Sequence, residues 1–78
     1  MIILAKNEIK ARARLSRGLV NILKDDVDML NVDADDFNLF TISESIKETR
    51  DTLNDILTNL DELEYVVIRL KERMSWRN

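Results

Sequence analysis

The sequence predicts an all-α fold: an antiparallel hairpin of two long helices that forms a coiled-coil-like bundle by oligomerisation. Three observations predict it. Apolar residues keep a heptad register through both halves of the chain. Pro is absent and Gly occurs once in 78 residues, so little interrupts a helix. One polar break, rich in Asp and Asn, separates the two halves.

The first helix is predicted over about residues 3–30. Ile9, Ala13, Ser16, Val20, Leu23, Val27 and Leu30 step alternately by 4 and 3, the spacing of a stripe turned toward a partner helix. Gly18 is its weak point, worth about 1 kcal/mol against Ala, although Ala11, Ala13, Ser16 and Gly18 together could also allow close backbone approach. The connection is expected over residues 31–41. Asp33, Asp35, Asp36 and Asn38 favour turns and caps, a short helical turn can start after Asp33, and Phe37, Leu39 and Phe40 are expected to plug the open end of the helix pair.

The second helix is predicted over about residues 42–74. Thr41 followed by Glu44 reads as a capping box, in which the hydroxyl and the carboxylate each take a free backbone N–H. From there Ile42, Ile46, Thr49, Leu53, Ile56, Leu60, Leu63, Val67, Leu70 and Met74 repeat the same steps. Ser16 and Thr49 are the polar members of the two stripes. A hydroxyl there either sets register or bonds to its own helix backbone.

Composition narrows the chemistry. There is no Cys and no His, which removes disulfides, thiolate metal sites and the commonest general base. No nucleophile–base pair or Gly-rich phosphate loop is present. We therefore expect no enzyme, no cofactor and no metal. Asp33, Asp35 and Glu44 match three positions of a calcium loop, but Phe37 and Asn38 occupy positions that need a ligand and a Gly. Asp51 and Asp55, one turn apart, read as a solvated face. No run reaches the roughly 20 apolar residues that span a bilayer, and residues 1–5 lack the basic flank of a signal peptide. A cytoplasmic protein with no membrane partner is expected.

Charge is segregated. Residues 1–24 carry a net +5, residues 25–64 a net −11 and residues 65–78 a net +3. A hairpin places Lys6, Lys10, Arg12, Arg14, Arg69, Lys71, Arg73 and Arg77 at one pole and the Asp-rich turn at the other. Lys10, Arg14, Arg17 and Lys24 line one basic stripe, the candidate contact for phosphates of nucleic acid or of a nucleotide. The plainer alternative is a solvated stripe that pairs with an acidic neighbour such as Glu44, Glu48, Asp51, Asp55 and Glu62. No aromatic residue accompanies the basic stripe, and Trp76 reads as a packing anchor.

One partner helix cannot cover all the apolar surface. Leu15, Leu19 and Ile22 form a second stripe on the first helix, and Leu57, Tyr65, Val66 and Ile68 lie beside the stripe of the second. These seven residues are the expected interface beyond the hairpin, since wet apolar surface forgoes roughly 25 cal/mol per Å². The sequence thus predicts a homo-oligomer, dimer or higher, and a protein target. In size and architecture the chain resembles small plasmid-, phage- or bacterium-encoded helical hairpins that act as regulators, adaptors or inhibitors. That resemblance implies a protein–protein interaction module. The two alternatives are a small helical oligomer that binds nucleic acid or a phosphorylated small molecule, and a structural subunit of a phage particle or secretion-type assembly.

Overall fold

A computed structural model describes residues 2–76. It contains α1, Ile2–Asp36, and α2, Leu39–Trp76, packed antiparallel, with no strand among the described residues. The hairpin is a rod measuring 60 × 15 × 13 Å. Arg77 lies outside the described residues, and so does the side chain of Trp76.

Both helices run further than the heptads suggest, and the connection shrinks from residues 31–41 to Phe37 and Asn38 alone. Asn31, Val32 and Ala34 continue α1 because nothing there breaks it. Asp33, read as a turn residue, instead stands on the inner face of α1, where its carboxylate accepts a hydrogen bond from the Ser45 hydroxyl. α1 ends where Phe37 takes a left-handed conformation, φ 52°, and its amide donates to the Ala34 carbonyl at 3.1 Å.

The capping box does not form. Asn38 caps α2: its Oδ1 accepts from the amides of Phe40 at 3.0 Å and Thr41 at 3.4 Å. Thr41 lies inside the helix and donates its hydroxyl to the Asn38 carbonyl at 3.1 Å. Asn38 wins because an Asn three residues earlier, next to a left-handed residue, reaches the free amides first. Phe37, Leu39 and Phe40 do not plug the rod; all three are exposed at its tip, since a two-residue turn leaves no opening to fill.

Gly18 has no atom within 4 Å of where a Cβ would stand, so within the hairpin it serves no close approach. Gly18→Ala is expected to raise unfolding stability by about 1 kcal/mol, and Asn38→Ala to lower it by about 1 kcal/mol, both read from urea denaturation followed by circular dichroism.

Candidate functional site

The contact between the helices is unusual in what it buries. Among the described residues no apolar side chain is fully buried; the buried ones are Asn59, at 3% exposure, Ser45 and Thr52. Each has a partner on α1. The Asn59 amide donates to the Arg12 carbonyl and to Ser16 Oγ, both at 2.8 Å, and its Oδ1 accepts from Arg12 Nη1 at 3.1 Å. Thr52 donates to Asp26 at 2.6 Å, and Ser45 donates to Asp33. Arg12 also pairs with Glu62 and, at 3.5 Å, with Glu8. No buried side-chain polar atom among the described residues lacks a partner, as burial requires.

These cross-links set the rotation of both helices. Arg12, Asp26 and Asp33 on α1, and Ser45, Thr52 and Asn59 on α2, are heptad-spaced and face one another. Leu19 and Val66 fall on the same two rows and are half-buried there. The apolar stripes read from the sequence do not meet as a seam. Their inner halves, Ile9, Ser16, Leu23 and Leu30 with Ile42, Thr49, Ile56, Leu63 and Leu70, are half-buried. Their other halves turn outward: Val20, Val27, Ile46, Leu53 and Leu60 are each 40–44% exposed, Met74 more so. Periodicity shows which rows are apolar; the polar cross-links, invisible to it, decide which rows face across the hairpin.

In an antiparallel pair, rows displaced by one residue in the same sense on both helices come to the same side. The outward rows of α1 and α2 therefore make one face that runs the length of the rod. The full stripe on each helix points midway between its neighbour and this open side, as helices do around the axis of a larger bundle. The opposite side is apolar on α1 only, where Leu15, Ile22 and Met29 lie across from Glu48, Asp55 and Glu62.

The other sequence-derived residues scatter. Leu57 is exposed at the edge of the open face, and Tyr65 and Ile68 are exposed on the back of α2. Tyr65 lies under Arg69, whose guanidinium carbon is 5.7 Å from the ring centroid and which donates to the phenol oxygen at 3.0 Å. Lys10, Arg17 and Lys24 share one exposed row that borders the open face on α1, with exposed Arg14 behind it. A shallow depression is lined by Glu8, Arg12, Asp61, Glu62, Tyr65 and Val66. Ser16 and Thr49 both donate to backbone carbonyls four residues back, at 3.0 and 2.7 Å, and Ser16 also accepts from Asn59. Asn59 itself was missed by sequence reasoning; an Asn at a heptad-spaced position inside a long helix was the available signal.

Among the described residues, no cluster of three or more potential metal ligands occurs, and no helix is long and apolar enough to cross a membrane. No known protein family, curated protein or solved structure matches the chain.

Asn59→Ala removes three hydrogen bonds at the most buried position. It is expected to destabilise the hairpin by about 1–2 kcal/mol in urea denaturation, and Thr58→Ala, one residue away on the exposed side, by less than about 0.5 kcal/mol.

Proposed function

We propose that this chain is a non-enzymatic protein–protein interaction module, a small cytoplasmic regulator, adaptor or inhibitor that acts through helix-bundle association. The observation that carries this reading is the open face. A rod 60 Å long presents an apolar row on each of two helices to solvent, while the side chains it buries fully are polar. Soluble monomers rarely leave a contiguous apolar patch of more than a few hundred Å² exposed, and larger ones mark binding surfaces. Heptad spacing along both rows suits helices as the covering element.

The test is the native mass of untagged chain drawn gently from cells that express it, for wild type and for Leu53→Glu. Leu53 makes no cross-link in the hairpin and is exposed, so the variant should keep its helix content. The wild type is expected at more than 9.1 kDa with only protein mass added, and Leu53→Glu at 9.1 kDa. A bare monomer in the wild type, a bound oligonucleotide, or an assembly that tolerates Leu53→Glu would sink the proposal.

A further inference from the structure

We infer that the open face takes a second copy of this chain, the two hairpins lying antiparallel with their turns at opposite ends of a four-helix bundle. The inference rests on the reading above and names the protein that covers the face.

The first support is a symmetry in the rows. A two-fold axis across the face, perpendicular to the rod, lays each helix on its own counterpart running backwards, so every row meets itself reversed. The outward row of α2 reads Leu39, Ile46, Leu53, Leu60, Val67, Met74. About a centre between Leu53 and Leu60 it is unbranched, β-branched, Leu, Leu, β-branched, unbranched at Cβ, and thus matched to its own reverse. The bordering row of α2 reads Ser43, Arg50, Leu57, Glu64, Lys71. Its centre is Leu57, with Arg50 and Glu64 equally spaced on either side. One axis therefore sets Leu57 on Leu57 of the second copy, which gives that exposed side chain a neighbour. It also sets Arg50 beside Glu64 of the second copy, twice. Four residues of the outward row of α1, Ala13, Val20, Val27 and Ala34, are palindromic too, with Lys6 beyond them. A side-by-side arrangement with both turns at one end places α1 on α2 and has no use for such palindromes.

Charge makes the same choice. Antiparallel copies bring residues 1–24, net +5, to the level of the six carboxylates of residues 25–36, which lie off the open face, while the bordering row Lys10, Arg17, Lys24 meets itself. Copies with both turns at one end would stack basic pole on basic pole and acidic on acidic. Size agrees as well. The Cα outline of the face, 60 Å by 15 Å, is roughly 900 Å², room for the ~800 Å² that each partner buries in a stable complex.

The test is sedimentation of the purified chain alone, with circular dichroism as a check on folding. The wild type should sediment as a dimer. Arg50→Glu and Glu64→Arg should each weaken the dimer roughly tenfold, since two attractive pairs become repulsive, and the two changes in one chain should restore it. These residues are 14 positions apart on one helix, about 21 Å, so rescue can arise only between copies. A nitroxide on Asp36→Cys gives a second readout: turn-to-turn distances of roughly 40–50 Å are expected from the helical rise, against less than roughly 25 Å if the turns share an end. A monomer at all concentrations would overturn the second copy as occupant. If the chain still carried other protein in cells, the interaction-module reading would stand. A dimer with no rescue, or with the short distance, would overturn the antiparallel arrangement alone.

Discussion

The hydrogen bonds of Asn59, Thr52 and Ser45 across the hairpin are the constraint on which the rest of the structure depends. Apolar contacts between heptad helices are not directional, and such helices can rotate or slip against each other at little cost. A buried amide cannot. Asn59 is satisfied only where it meets the Arg12 carbonyl, the Arg12 side chain and Ser16 together, at one height and one rotation. Thr52 with Asp26 and Ser45 with Asp33 repeat the condition along the rod toward the turn. Once these rows face inward, helical geometry leaves no freedom over where the apolar rows go.

The consequence for stability is that the hairpin alone leaves part of its hydrophobic driving force unused. With no apolar side chain fully buried among the described residues, the hairpin draws little from the hydrophobic term that dominates most domains of its size. Its half-buried Ile and Leu residues sit at the edge of a core that a covering element would complete. Any protein that covers the face adds its binding free energy to the fold by mass action. The same rotation that leaves the hairpin under-packed presents both outward rows in one plane, ready to be covered.

The helices were legible because period and the lack of breakers speak directly to local structure. The two-residue turn was less so. Asp33, Asp35 and Asp36 look like loop residues by composition, yet a carboxylate on an inner helix row serves equally well when a hydroxyl stands opposite. Thr41 and Glu44 compose a valid capping box, and it lost only because Asn38 lies closer to the left-handed Phe37. The apolar stripes were identified correctly as rows, and only their inner halves lie against the neighbouring helix. Sequence period fixes a stripe on a cylinder, while the neighbour it faces depends on pairings such as Thr52 with Asp26, between residues far apart in the chain. The basic row of Lys10, Arg17 and Lys24 was visible as a pattern; that it borders the open face became visible only with the rotation.

The two-residue turn has a topological effect. If it straightened, α1 and α2 would join into one helix of more than 70 residues, the usual route by which hairpins exchange arms between molecules. Leu30 and Ile42, equivalent positions on the inner rows, are 12 residues apart. At 3.6 residues per turn they would point about 120° away from each other on the joined helix. An opened chain could then offer only one inner row at a time to a straight partner. The phase shift written into the turn thus guards the closed hairpin against arm exchange.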